Sequence, residues 1–133
     1  MLESFAFYIS TLRKQFNKYC SERLEEMGIS YGQLYVIIFV GKKEACSPSD
    51  VSNGLRLDAG HLNRTINKLI DNGFISQTKN EKDRRANVLT LTQKGEEVFQ
   101  ASKELFVEWD KKVLSSLNEE EKEQLMSLLK KVR

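Results

Sequence analysis

Apolar residues recur at helical spacing along most of the chain, and one internal stretch alternates apolar and polar positions as a strand does. Four apolar residues after Asp58 fall on one face of a helix, at positions i, i+4, i+7 and i+8. They are Leu62, Ile66, Leu69 and Ile70. Asp58 is a good N-cap, and Asn72-Gly73 supplies a stop because glycine closes a helix without steric cost. The pattern predicts an amphipathic helix between these two signals.

The other face of this helix is polar and mostly basic. Given about 100° of rotation per residue, the side opposite the apolar stripe holds residues of a different kind. They are Gly60, Arg64, Lys68 and Asp71, with His61 and Asn67 on the flanks. A helix of this size fits the major groove of DNA.

Two short stretches after Gly73 have strand character. Residues 74–78 are rich in β-branched and aromatic side chains, and residues 88–92 alternate apolar and polar. The hairpin between them, residues 79–87, carries four cations and two anions. A solvated loop is one interpretation of it. Its position after a polar-faced helix favours another, a ribbon that reaches the minor groove of DNA, and we call the strands with their hairpin the wing.

Two smaller helices are predicted before Asp58. The first follows a capping-box pattern at residues 30–33. The second begins at residues 47–50, with a proline at its first position, and ends at Asn53-Gly54. It would be the positioning helix of a helix-turn-helix. Arg56 lies in the turn that follows, either as an exposed turn residue or as a phosphate contact.

Long apolar stripes flank this central region. One runs from Phe5 to Met27, the other from Val98 to Leu117, and a last short helix begins at Asn118. A chain of 133 residues cannot easily bury both stripes, whereas a two-fold dimer packs equivalent helices together. We therefore predict an obligate homodimer. The alternative is that the stripes wrap the monomer's own core.

Positive charge is concentrated in the middle of the chain. Residues 41–95 hold ten Lys/Arg against six Asp/Glu, a balance of +4, and the remaining residues hold eleven against thirteen, a balance of −2, which together return the net charge of +2. Counterion release in the basic part could drive DNA binding. With no apolar run near the roughly 20 residues that span a bilayer and no secretory signal at the start, we expect a cytoplasmic protein without membrane contact.

Catalytic patterns are absent from the sequence. It has one histidine, no Cys-x-x-Cys, no phosphate-binding glycine loop and no nucleophile elbow. We expect neither an enzyme nor a bound cofactor or metal, since a zinc site needs several ligands gathered together. Cys20 lies on an apolar stripe, and we expect Cys46 in a loop as the more exposed thiol. Both should be reduced, and whether either is redox-active stays open.

Several segments resemble MarR-family transcriptional regulators. Asp83-Arg84-Arg85 followed by Leu89-Thr90-Leu91-Thr92-Gln93-Lys94-Gly95 is similar to their D-x-R and L-T-x-x-G signature. Residues 69–75 resemble their L-E-x-x-G-L-V junction, and residues 57–64 resemble the L-D-x-G-x-L-x-R start of their recognition helix. Further similarity at residues 29–34 and 117–121 extends the resemblance over nearly the whole chain.

The resemblance implies a fold and a function. The fold is mainly α with a small β-wing: a single domain, 1–133, with a winged helix-turn-helix at 30–95 and long dimerisation helices at 1–28 and 96–133. The function is that of a sequence-specific DNA-binding transcriptional regulator, a ligand-responsive repressor that binds a pseudo-palindromic operator as a homodimer. The alternative is a winged-helix protein-interaction module without specific DNA binding.

The resemblance also implies contacts with double-stranded DNA. Arg64 would meet a base or an adjacent phosphate, since a guanidinium can bind guanine in bidentate fashion, and Lys68 would meet phosphate. The family's D-x-R arginine, which Arg85 matches, enters the minor groove, and its aspartate, which Asp83 matches, steadies the wing. The predicted DNA-binding residues are Arg56, Gly60, His61, Asn63, Arg64, Asn67, Lys68, Lys79, Lys82, Arg84 and Arg85.

A small aromatic effector is a further implication of the resemblance. It would bind between the dimer helices and the DNA-reading part of the chain. The aromatic residues that could line such a pocket are Tyr8, Tyr19, Tyr31, Tyr35 and Trp109. At helical spacing, aromatic residues are more often part of the core.

Overall fold

The computed structural model describes residues 3–79, 82–83 and 87–133. Over these residues the chain forms helices and one two-stranded sheet, so the predicted fold class is confirmed. The elements are α1 Phe5–Met27, α2 Tyr31–Lys43, α3 Pro48–Leu55, α4 Ala59–Asp71, β1 Ile75–Thr78, β2 Val88–Leu91, α5 Gln93–Val113 and α6 Glu119–Val132. No helix in this described part of the chain has the length and apolar character needed to cross a bilayer.

Helix α2 lies at the centre of the core. Its start is the predicted capping box, in which the Ser30 side chain accepts from the Gln33 N–H at 3.2 Å and the Gln33 side chain accepts from the Ser30 N–H at 2.8 Å. Its buried residues are Leu34, Val36, Ile37, Ile38 and Val40. Burying each such side chain contributes roughly 1.5–3 kcal/mol to stability. Helices α3, α4 and α5 all pack against α2, so α2 is the element on which they assemble.

Helix α3 ends later than predicted. The expected stop at Asn53-Gly54 is wrong, because the helix continues to Leu55 and Arg56 closes it with a left-handed φ of 55°. Gly54 lies under the ring of Phe39 on α2, and a Cβ at this position would overlap the ring. This glycine therefore permits close packing between two helices and does not terminate one.

The wing strands pair as predicted but are shorter. β1 and β2 are antiparallel, with Ile75 opposite Leu91 and Thr78 opposite Val88. Cys46, which precedes α3, adds a bridge to this sheet: its N–H donates to Leu89 O at 3.2 Å and its carbonyl accepts from Leu89 N at 2.7 Å. Cys46 is the more exposed of the two thiols, as predicted, at 7% against 0% for Cys20, but both are buried, and the bridge to Leu89 was not predicted. Burial raises the pKa of the Cys46 thiol.

The terminal helices differ in how far they are buried. α1 buries Cys20 and Leu24 in its second half, and burial raises the pKa of the Cys20 thiol. Phe16 joins α1 to α5, with its ring centroid 4.9 Å from that of Trp109. α6 begins after Asn118, as predicted, with a capping box between Asn118 and Glu121, and it has no buried residue. Large apolar side chains therefore remain exposed at both ends of this chain.

Candidate nucleic-acid interface

Helix α4 is divided into two faces, as the sequence predicts. The Asp58 carboxylate accepts from the His61 N–H at 3.1 Å and so caps the helix. Leu62, Ile66 and Leu69 are buried, while Ile70 is half-buried. Burial of this stripe orients the opposite face outward.

The predicted contact residues of α4 lie together on its exposed side. They are Gly60, His61, Asn63, Arg64, Asn67 and Lys68, and all six are exposed. Within the described residues, neither Arg64 nor Lys68 pairs with a carboxylate. Both positive charges can therefore act on a ligand. At Gly60 the absence of a side chain leaves space at the start of α4. A Cβ at this position would lie 3.3 Å from the Asp58 oxygen that caps the helix.

A polar groove of about 530 Å³ runs between α4 and the start of α2. Its lining residues are Ser30, Gln33, His61, Arg64, Thr65, Asn67, Lys68 and Asp71. Ser30, Gln33 and Thr65 are not among the contacts that the sequence predicts. The capping box signals a helix start at Ser30, and helix starts favour anions, but only the tertiary fold brings that start beside α4.

Arg56 lies where the sequence places it, exposed in the turn of the helix-turn-helix. Its N–H donates to Ser52 O, and the Ser52 hydroxyl donates to Leu57 O at 2.9 Å. These bonds hold the turn in one conformation. The guanidinium therefore starts from a fixed backbone position next to α4.

The structure describes only part of the predicted wing contacts. Lys79 directly follows β1 and is exposed, and Lys82 and Asp83 are also exposed. Arg84 and Arg85, including the predicted minor-groove arginine, lie outside the described residues. Lys79 and Lys82 thus lie in the hairpin between the two strands, which is also the segment that contains Arg85.

Three of the five aromatic residues named for an effector pocket meet in one place. Tyr31, Tyr35 and Trp109 line a groove of about 430 Å³ with Leu12, Arg13 and Phe16. The hydroxyls of Tyr31 and Tyr35 are 2.7 Å apart, and burial, followed by this hydrogen bond, raises the pKa of Tyr35.

The other two aromatic residues lie elsewhere. Tyr19 lines a second groove of about 580 Å³ with Trp109. Tyr8 lines neither of these grooves and packs edge-on against Phe7, so its inclusion is not supported. Across the described ranges, no cluster of three or more His, Cys, Asp or Glu side chains could hold a metal ion.

Comparison with known proteins identifies the family. Residues 18–102 match the protein family described as transcriptional regulator SarA/Rot. The chain is 46% identical over 132 residues to the HTH-type transcriptional regulator BilQ of Clostridium symbiosum, covering 99% of this chain and 92% of that protein. The family match covers the central region and the adjoining parts of α1 and α5, and the match to BilQ covers almost the whole chain.

Solved structures share the fold. A MarR transcriptional regulator from Methanosarcina mazei has a TM-score of 0.86 at 27% identity, covering 96% of this chain and 91% of that one. A cysteine-to-serine mutant of Escherichia coli MarR in complex with operator DNA has a TM-score of 0.80 at 23% identity, over the same 96% and 91%. The chain belongs to the SarA/Rot family of transcriptional regulators, and it is a DNA-binding regulator with the winged-helix fold of MarR rather than an enzyme.

Proposed function

We propose that the protein is a homodimeric repressor that binds a pseudo-palindromic operator, with α4 of each protomer in the major groove and the wing over the adjacent minor groove. The observation that carries this proposal is the division of α4. Its apolar face is buried in the chain's own core, while Arg64 and Lys68 are exposed on the other face and form no ion pair within the described residues. A protein of similar fold, the Escherichia coli MarR mutant, is solved in complex with operator DNA, which supports DNA as the ligand.

Different side chains of α4 would have different roles. Arg64 would bind a guanine through two hydrogen bonds, and Asn63 and Asn67 have the amide groups that adenine recognition requires. Lys68 would neutralise a phosphate on the groove edge. Arg56 would bind a phosphate from the turn that the Ser52 hydrogen bonds hold in place.

The wing would add contacts that depend less on sequence. Arg85 would enter the minor groove, and Lys79, Lys82 and Arg84 would neutralise phosphates. Asp83 would steady the hairpin by pairing with a cation. The exposure of Lys79 and Lys82 supports this assignment.

A second copy of the chain would cover the exposed apolar side chains of the terminal helices. Phe5 of α1 is 57% exposed, and Leu128 and Val132 of α6 are 58% and 66% exposed. Side chains of this size contribute roughly 1.5–3 kcal/mol each when buried, so an interface that covers several would be stable. Residues 1–28 and 96–133 would be the dimerisation helices and residues 30–95 the DNA-binding region of one domain.

The groove lined by Tyr31, Tyr35 and Trp109 is the site we propose for a small aromatic effector. It lies between α1, α5 and the start of α2, and α2 packs directly against α4. A planar ring would stack beside Phe16 and Trp109, and Arg13 would favour an anionic substituent. A ligand here would contact the proposed dimer helices and the central helix of the DNA-binding region at once.

Binding to duplex DNA tests the proposed function. The wild-type protein would select duplexes from fragments of the source genome, and the affinity for a selected duplex would be measured by fluorescence anisotropy at several salt concentrations. We expect the affinity to fall steeply with salt and to exceed that for a random duplex by at least about 10³. A protein that prefers no sequence would instead be a winged-helix interaction module.

A further inference from the structure

The end of α4 is joined to the start of α5 through three consecutive backbone carbonyls. Lys94 Nζ donates to Asn72 O at 2.9 Å. The Thr92 hydroxyl donates to Gly73 O at 2.6 Å, and the Thr92 N–H donates to Phe74 O at 3.1 Å. Carbonyls at a helix end have no partner within the helix, and here the segment that opens α5 supplies the donors.

Lys94 is the one charged group among these donors. Its ammonium lies 4.3 Å from the centroid of the Phe74 ring, so it contacts the strand entry as well as the helix end. A cation also interacts favourably with the negative end of the α4 dipole. Next to it, a Cβ on Gly95 would overlap the carbonyl of Phe74, so the two backbones are in direct contact.

This junction connects the DNA-reading helix to a helix of the proposed dimer. α5 extends from Gln93 to Val113, and its far half packs on α1 through Phe106 and Trp109. The angle between α4 and α5 therefore sets where α4 lies relative to the dimer axis. A symmetric operator requires its two recognition helices to be about 34 Å apart, one turn of DNA.

We infer that Lys94 is a positioning residue for operator recognition: its ammonium holds α4 at the angle to α5 that spaces the two recognition helices for their half-sites. The inference rests on the proposed function for its homodimer and operator. Lys94 lies on the exposed surface. A direct phosphate contact is therefore the outcome that the experiment must separate from positioning.

The first experiment needs neither DNA nor a dimer. Nitroxide labels at Asn67→Cys on α4 and Lys111→Cys on α5 report the distance between the two helices by electron spin resonance. An excess of unlabelled chain leaves at most one labelled chain per dimer. We expect Lys94→Met to broaden or shift this distance distribution and Lys94→Arg to restore it, since arginine keeps both charge and donors.

Lys103→Met is the matched control. Lys103 lies on the same helix with its ammonium 4.4 Å from the Phe99 ring centroid, but among the described residues it donates no hydrogen bond to the end of α4. Its substitution removes a similar charge and a similar ring contact. The distance distribution should not change. An unchanged distribution in Lys94→Met as well would overturn the inference.

The second experiment uses the duplex that the wild-type protein selects from fragments of the source genome. It is compared with versions whose half-sites are moved by one base pair, and with a duplex that has one half-site. We expect Lys94→Met to bind the duplex with the original half-site spacing about three- to tenfold more weakly. A loss of this size is expected when one exposed charge-assisted hydrogen bond is removed. The penalty for altered spacing should shrink, and single half-site affinity should not change.

Two results would overturn the inference. Equal losses on one half-site and on the full site, with a salt slope smaller by about 0.9, would make Lys94 a phosphate contact. A lower melting temperature with unchanged spacing preference would make it a stabilising residue only. If the wild-type protein selects no sequence, the proposed function fails, and the distance measurement alone decides whether Lys94 sets the angle.

Discussion

α4 and α6 are amphipathic helices of nearly equal length, 13 and 14 residues, yet they differ in what they leave exposed. α4 buries Leu62, Ile66 and Leu69 within the chain, and its exposed face is polar. α6 buries no residue, and its exposed face includes Leu128 and Val132. The apolar face of α4 is covered within one chain and its other face carries exposed charge, whereas the apolar side chains of α6 are not covered by the chain itself. The difference supports DNA as the partner of α4 and a second copy as the partner of α6.

The largest effect is expected on the buried face of α4. Leu69→Ala should lower the free energy of unfolding by about 2–5 kcal/mol, because Leu69 is fully buried and its loss leaves a cavity. Asn67→Ala, on the exposed face of the same helix, should change it by less than about 0.5 kcal/mol. Urea denaturation measures both values. Similar losses for the two variants would contradict the division of α4 into two faces.

On α6, Leu128→Asp should weaken self-association by roughly 100-fold or more, because burying an unpaired carboxylate costs several kcal/mol. Ser127→Asp adds the same charge at the neighbouring exposed position and is the control. Sedimentation equilibrium across micromolar concentrations gives the dimer dissociation constants. If Leu128→Asp associates as strongly as the wild-type chain, α6 does not form the interface.

On the exposed face of α4, Arg64→Met should weaken binding to the selected duplex by about 1–3 kcal/mol and relax the preference at one base position. The free energy of unfolding should not change, since Arg64 is exposed and forms no ion pair with the part of the chain that the structure describes. Lys130→Met, which removes an exposed cation from α6, is the control and should bind almost as the wild type does. Anisotropy titrations against single-base variants of the duplex measure the effect.

In the wing, Arg85→Ala should also weaken binding, by up to about 1–3 kcal/mol, without unfolding the protein. Because a minor-groove arginine responds to groove width, the loss should be greater on A·T-rich flanks than on G·C-rich flanks. Binding titrations with the two kinds of flank test this assignment. An affinity equal to that of the wild type on both duplexes would remove Arg85 from the interface.

The smallest effect is expected on the reactivity of the two buried thiols. Cys20 and Cys46 are buried, and burial raises the pKa of both thiols, so little thiolate should be present near neutral pH. Because the pKa of each thiol is higher in the folded than in the unfolded state, any stability that the thiols contribute is complete below the unfolded-state pKa. It is lost as pH rises from the unfolded-state pKa through the folded-state pKa. A disulfide reagent should react slowly with native protein and fast in urea. Fast native reaction in a Cys20→Ala variant would identify Cys46 as an accessible thiol.

The sequence predicted the elements whose signals are local. The apolar period of α4, the two wing strands, the capping box at Ser30 and the helix starts at Ser47 and Asn118 all reappear in the structure. Each depends on residues within about two helical turns of one another. Short-range spacing is therefore sufficient to predict helices, their starts and the exposed face of α4.

The errors and omissions depend on distant contacts. Glycine often ends a helix, so the sequence suggests that role for Gly54. Only the position of the Phe39 ring shows that Gly54 instead permits close packing between α3 and α2. Cys46 looks like a loop residue until Leu89 pairs with it, and Lys94 bonds a carbonyl 22 residues away. No pattern of spacing encodes these contacts, because they arise only when separate elements pack.

The most direct test of the account is the stoichiometry and specificity of one complex. Sedimentation of the wild-type protein with the selected duplex should give two chains per duplex, with affinity that falls steeply as salt rises. A random duplex of equal length should bind at least about 10³ more weakly at moderate salt. A chain that stays monomeric, and binds both duplexes equally or not at all, would contradict the account.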